Sequence, residues 1–178
     1  EYWGFHREDC LLHALPIFHV HGLFVAIGCV LMSGSRMRWL GNFNTETVIE
    51  NLPGSTVMMG VPTYYTRLLV EPGFTVQSCE HVRLFISGSA PLLVDTFEEF
   101  RRRTGHAILE RYGMTETGMN TSNPLQGERR AGTVGFPLPG VSLRVCDEVN
   151  RELGVDEVGA LQVKGAHVFG GYWNLPNK

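Results

Sequence analysis

The sequence has no surplus of positive charge. Its 15 Lys and Arg stand against 18 Asp and Glu over 178 residues, for a net charge of −3. That leaves no basic field for nucleic acid and no polybasic segment for an anionic membrane. Long hydrophobic runs are missing too. The longest apolar stretch, Gly22 to Met32, contains two glycines, is too short to span a bilayer, and reads as a core helix. No CxxC spacing occurs. Cys10, Cys29, Cys79 and Cys146 lie far apart in mostly apolar surroundings and are expected to be reduced, buried thiols of an intracellular, cytoplasmic protein. The absence of a GxGxxG after a strand argues against a dinucleotide-dependent dehydrogenase, and the absence of a GxSxG elbow argues against a serine hydrolase. No stretch of these residues reads as a signal peptide, and the chain opens on Glu1-Tyr-Trp-Gly-Phe5 and closes on Asn174-Leu-Pro-Asn-Lys178, so both ends are expected to be cut from a longer protein.

What is present alternates. Leu11 to Pro16 is a short apolar run ended by proline, followed by a loop carrying His19 and His21 and then the apolar helix Gly22 to Ser33. Arg36–Leu40, Ser55–Val61, His81–Ile86 and Ala107–Tyr112 read as further strands. Between them fall helices begun by the cap-like Asn44, by Pro62, and near Leu92, the last with Phe97 and Phe100 inward and Arg101 to Arg103 as a solvated end. Strands alternating with helices predict an α/β fold with a largely parallel sheet flanked by helices. From about Ser122 glycine and proline accumulate, and Val141–Val145 and Gly159–Lys164 alternate as strands. The expected organisation is an α/β part over residues 1–125 and a β-rich part of the same domain over 126–178.

The chain is arranged around Glu110-Arg-Tyr-Gly-Met-Thr-Glu-Thr-Gly-Met119, where an apolar strand gives way to a turn rich in hydroxyls. Such a turn lies beyond the carboxyl end of a parallel strand, where open α/β sheets bind ligands. Thr115 and Thr117 offer hydroxyls, Glu116 an oxygen ligand suited to Mg²⁺, and Tyr112 a flat face for a base; Gly113 is expected to end the strand. The composition equally fits an ordinary strand-to-loop junction. Ser87-Gly-Ser-Ala-Pro-Leu92 is either a compact turn or a place where a ligand approaches the backbone. In Pro16-Ile-Phe-His-Val-His-Gly22 no cysteine or carboxylate nearby completes a metal set around the HxH pair, so His19 is the pocket-lining candidate and His21 a hydrogen-bonded core histidine. Arg67, among Tyr64, Tyr65, Leu68 and Leu69, is either a buried guanidinium with an anionic partner or a surface arginine lying along its helix.

In this order, Leu15-Pro-Ile-Phe-His-Val-His-Gly22, Ile86-Ser-Gly-Ser-Ala-Pro-Leu92, Glu110-Arg-Tyr-Gly-Met-Thr-Glu-Thr117, Gly132-Thr-Val-Gly-Phe-Pro-Leu-Pro-Gly140 and Gly170-Gly-Tyr-Trp173 carry a resemblance. The chain resembles the adenylate-forming superfamily of acyl-CoA synthetases, adenylation domains and luciferases, and its wording is most similar to the bacterial-type malonyl-CoA synthetases. The resemblance implies a ligase fragment: malonate or methylmalonate attacks ATP to give an acyl-adenylate, and coenzyme A then displaces AMP. It implies Thr115 at the α-phosphate, Glu116 on Mg²⁺, and Tyr112 on adenine, with Gly113 and Met114 beside it. Gly88, Ser89, Ala90 and Pro91 would line the base pocket, His19 would lie at the reacting carboxylate, and Arg67 at the substrate's second carboxylate. The implied partners are therefore a small carboxylate, ATP and CoA. Other acyl-CoA ligases or adenylation domains, and a non-catalytic nucleotide-binding fragment, are the alternatives. The family's phosphate loop, ribose-binding Asp and carboxyl-terminal lysine are not in these residues, so the isolated chain is expected to have little ligase activity.

Overall fold

A computed structural model describes residues 2–175. Seven strands form one sheet in the order β2-β1-β3-β4-β5-β6-β7. The first five, β1 (Cys10–His13), β2 (Arg36–Trp39), β3 (Val57–Gly60), β4 (Leu84–Ser87) and β5 (Leu109–Met114), run parallel. β6 (Gly118–Ser122) and β7 (Phe136–Pro137) extend the sheet antiparallel.

The inner strands are apolar throughout because both faces are covered, as expected of a parallel sheet. On one face Leu12, Met58 and Phe85 meet Val48 of α2 (Thr45–Asn51), Tyr65 and Leu68 of α3 (Pro62–Leu69), and Phe97 and Phe100 of α4 (Val94–Thr104). On the other, Leu11, Val57, Met59, Leu84 and Ile86 meet Val25, Ala26 and Val30 of a π-helical turn (His21–Ala26) running into α1 (Ile27–Ser33). A polar clamp ties the strands together at their start. The Arg83 guanidinium donates to both oxygens of buried Asp9 at 2.9 and 2.6 Å, and the Thr56 hydroxyl donates to the same carboxylate at 2.7 Å.

Several expectations change. The Gly22–Ser33 helix forms but is only half covered: Phe24, Leu31 and Met32 are 70%, 74% and 90% exposed, because one stripe alone reaches the sheet. Asn44 does cap α2, its side chain accepting from the Thr47 amide at 2.9 Å. Arg103 is not a solvated helix end; its guanidinium donates to the Phe74 and Glu71 carbonyls at 2.8 and 2.7 Å and also to Leu69 O. Gly113 does not stop β5, which runs to Met114 and returns through Thr115–Thr117 as β6, a strand absent from the sequence reading. Beyond residue 125, β7 still pairs with β6, and the Asn123 side chain donates to the Glu110 and Thr133 carbonyls. The separate element is the antiparallel ribbon of β8 (Ser142–Cys146) and β9 (Ala160–Lys164).

Candidate active site

Beyond the carboxyl ends of β1, β3, β4 and β5 lies a cavity of about 440 Å³, bounded by Leu15 and Pro16, by the stretch from His19 to Gly22, and by Val61, Ser89, Arg111 and the β5–β6 hairpin. Each wall has a local cause. Gly22 permits the π-helical turn to tuck against the end of β1, since a Cβ there would overlap the Pro16 carbonyl. Gly113 faces Gly118 across the hairpin so closely that a Cβ would strike the Gly118 carbonyl oxygen. The turn between them presents Thr115 and Glu116.

Of the sequence candidates, His19, Ser89, Gly113, Met114, Thr115 and Glu116 line the cavity together. Ala90 and Pro91 are exposed in the turn next to Ser89 and lie outside that lining, as does half-buried Tyr112, whose hydroxyl donates to Met114 Sδ at 3.5 Å. Gly88 is buried behind the wall, where a Cβ would overlap the Arg111 guanidinium. Arg67 takes the surface alternative: it is exposed, its guanidinium 4.9 Å over the Phe43 ring, and it does not line the cavity. The reason is position on α3, where Tyr65 and Leu68 take the inward face and leave Arg67 outward.

The residue that the motif reading passed over is Arg111. It is 4% exposed, lines the cavity, and its Nε and Nη2 have no hydrogen-bond partner. Burial pulls its pKa down to about 10, which still leaves it charged near neutrality. A buried cation with free donors is a signal of an anionic ligand. In the sequence it was concealed between the two residues, Glu110 and Tyr112, that looked more informative. Beside it His21 is 5% exposed, with Nδ1 3.2 Å from Ser89 Oγ. Burial, then the charge of Arg111 and the neighbouring His13, hold the His21 pKa down at about 2, so the ring is neutral. Ser89 adopts φ 71°, a left-handed conformation that costs a non-glycine residue energy and is retained where the surroundings enforce it.

Glu110 anchors the Ser87–Leu92 turn from below. Its Oε1 accepts from the Leu92 amide at 2.8 Å, and burial raises its pKa although that bond opposes the shift. Glu116 is fixed from the far side of the chain: Tyr172 donates to its carboxylate, lowering its pKa, and its carbonyl accepts from the Phe169 amide at 2.8 Å. Among the described residues no cluster of three His, Cys, Asp or Glu could hold a metal alone. A hard cation at Glu116 would need further oxygens from a ligand, as Mg²⁺ commonly takes from nucleotide phosphates. No helix among the described residues is long and apolar enough to cross a membrane.

The family model described as AMP-binding enzyme matches residues 1–173. A mitochondrial malonate–CoA ligase, ACSF3, from Xenopus laevis is 37% identical over 208 residues, covering 97% of this chain and 36% of that protein. The crystal structure of ATP-bound MatB from Rhodopseudomonas palustris superposes with a TM-score of 0.97 at 54% identity, covering 99% of this chain and 35% of that one. A malonyl-CoA ligase ternary product complex with methylmalonyl-CoA and AMP bound superposes with a TM-score of 0.89 at 44% identity, covering 99% of this chain and 39% of that one. The chain thus spans a little over a third of the length of the proteins it matches.

Proposed function

The chain belongs to the family of AMP-binding enzymes, and from that membership we propose that it is the acyl- and adenine-binding portion of an AMP-forming ligase joining a malonate-class dicarboxylate to coenzyme A. The observation that carries the substrate class is Arg111, a buried guanidinium with unpaired donors in the cavity wall. Malonate offers a second carboxylate for that group, whereas a fatty or aryl tail would leave it buried and unpaired at a cost of about 1 to 3 kcal/mol or more. The names of the malonate–CoA ligase and malonyl-CoA ligase relatives support the same reading.

In this account a carboxylate oxygen of the acid attacks the α-phosphorus of ATP and expels pyrophosphate. The coenzyme A thiol, losing its proton, then attacks the acyl carbonyl of the adenylate and expels AMP. The protein positions the groups and stabilises developing charge. Thr115 donates its hydroxyl to the α-phosphate, and Glu116 is the residue that would hold Mg²⁺, which when bound would neutralise phosphate charge. His19, at the mouth of the cavity, lies by the reacting carboxylate. Ser89, Ala90 and Pro91 frame the adenine edge, with Gly88 behind them making room for Arg111, and Tyr112 covers the adenine face with Gly113 and Met114 beside it. Arg111 takes the distal carboxylate, the role that the resemblance had implied for Arg67.

The test uses a full-length enzyme carrying this segment. Arg111→Met is expected to lower malonate turnover by about 100-fold, corresponding to roughly 3 kcal/mol, with KM for ATP little changed. Arg67→Ala is expected to leave malonate kinetics close to wild type, because the exposed guanidinium lies over Phe43 and outside the cavity. Wild-type malonate kinetics in Arg111→Met would refute the assignment.

A further inference from the structure

The segment that follows β9 crosses back to the β5–β6 turn, and no step of the proposed chemistry uses it. Three contacts join the two. The Phe169 amide donates to the Glu116 carbonyl at 2.8 Å, the Tyr172 hydroxyl donates to Glu116 Oε1, and His167 Nε2 lies 3.0 Å from Asn120 Oδ1, whose amide nitrogen donates to Thr117 Oγ1 at 2.8 Å. The contacts of His167 and Tyr172 bridge 47 and 56 positions of sequence, so they come from the tertiary fold and not from the turn itself. The Tyr172 ring is held in its turn, edge-on to Phe169 with centroids 4.8 Å apart.

A glutamate on a hairpin turn has several side-chain torsions to fix when it takes a ligand, and immobilising a rotamer-rich side chain on binding costs affinity. Glu116 has part of that freedom removed in advance. Tyr172 engages Oε1 and leaves Oε2 for a cation, while the Phe169 amide fixes the backbone that carries the carboxylate. Groups that ligate cations are commonly oriented by a hydrogen bond from a neighbour, and loss of that neighbour weakens binding by about 10- to 100-fold. We propose that Tyr172 is a positioning residue that holds the Glu116 carboxylate in its cation-receiving orientation. The segment from Gly165 to Tyr172, which begins where β9 ends, thereby links the β8–β9 ribbon to the β5–β6 turn. This rests on the reading of Glu116 as the residue that would hold Mg²⁺.

The experiment titrates ATP, with no acid or CoA present, into a full-length enzyme carrying this segment. It reads the calorimetric Kd in EDTA divided by the Kd in Mg²⁺. Tyr172→Phe keeps the ring against Phe169 and removes only the hydroxyl. It is expected to lower the ratio by roughly five- to ten-fold, with the Kd in EDTA within about two-fold of wild type. A role in supporting the fold alone would weaken both titrations together and leave the ratio where it was. In a Glu116→Ala background the same substitution is expected to change the ratio by less than about two-fold, because the two residues act through one bond. An unchanged ratio in Tyr172→Phe, or an equal fall with and without the Glu116 carboxylate, would overturn the role of Tyr172. Glu116→Ala separates the two levels: if it keeps the wild-type ratio, or if Mg²⁺ does not tighten ATP binding to the wild type, the reading of Glu116 itself fails.

Discussion

Gly88 shows how much of the site depends on an atom that is not there. The Arg111 guanidinium occupies the volume a Cβ would need, so the glycine makes room for an arginine rather than for a nucleotide. Gly88→Ala is accordingly expected to displace the guanidinium, costing about 1 to 3 kcal/mol of stability and weakening malonate use more than ATP binding. Denaturant unfolding and steady-state kinetics on the same variant would check both. At this scale the sequence made His19, Thr115 and Glu116 visible, because small hydroxyls, a carboxylate and an imidazole beyond strand ends are unusual in a plain loop. Arg111 stayed hidden because its importance comes from burial without a partner, and an arginine in a mixed strand carries no mark of that. Arg67 was conspicuous for the opposite reason: apolar neighbours in sequence suggested burial, but helical geometry turned it outward.

Among the elements, the β5–β6 hairpin was the least legible. Its second strand contains Asn120, Thr121 and Ser122, which read as loop residues but are at most 2% exposed. Asn120 and Ser122 are accommodated by side-chain hydrogen bonds, whereas Thr121 Oγ1 has no partner: Asn120 donates to Thr117 Oγ1 at 2.8 Å and contacts His167 Nε2 at 3.0 Å, and Ser122 accepts from the Trp3 indole at 2.9 Å. Polar residues in a buried strand defeat any reading based on alternation. The parallel strands were readable because two covered faces demand unbroken apolar runs. The half-exposed α1 was misjudged since an apolar helix does not say which of its sides is covered. Within the hairpin the closest backbone approach is Gly113 to Gly118. Gly113→Ala should force the strands apart, lower the unfolding free energy by about 1 to 3 kcal/mol, and reduce kcat through the displaced Thr115–Glu116 turn. A variant with unchanged stability and kcat would show that the turn tolerates the change.

For the molecule as a whole, the parallel sheet and its two covering layers followed from the alternation of strands and helices, while the pairing of β7 with β6 past residue 125 did not. Stability at low pH hinges on the Asp9 clamp. Burial raises the Asp9 pKa, but hydrogen bonds from Arg83, Thr56 and the His6 amide, with the charge of Arg83, outweigh it and bring the value from 3.8 to about 2. A depressed folded-state pKa contributes stability that is fully present above the unfolded value and is lost as pH falls through the folded one. The clamp therefore adds roughly 2 kcal/mol above about pH 4, fading toward pH 2. Urea unfolding of the chain across that window should show the decline, and Arg83→Met should cost about 3 to 5 kcal/mol at neutral pH by leaving the buried carboxylate unpaired.

The central claim concerns which acid is activated and how. The most direct measurement supplies a full-length enzyme carrying this segment with ATP, CoA and either malonate or acetate, and quantifies thioester and nucleotide products. The account predicts malonyl-CoA and AMP in equal amounts, with kcat/KM for malonate at least about ten-fold above that for acetate. Release of ADP in place of AMP, or acetate used as well as malonate, would contradict it.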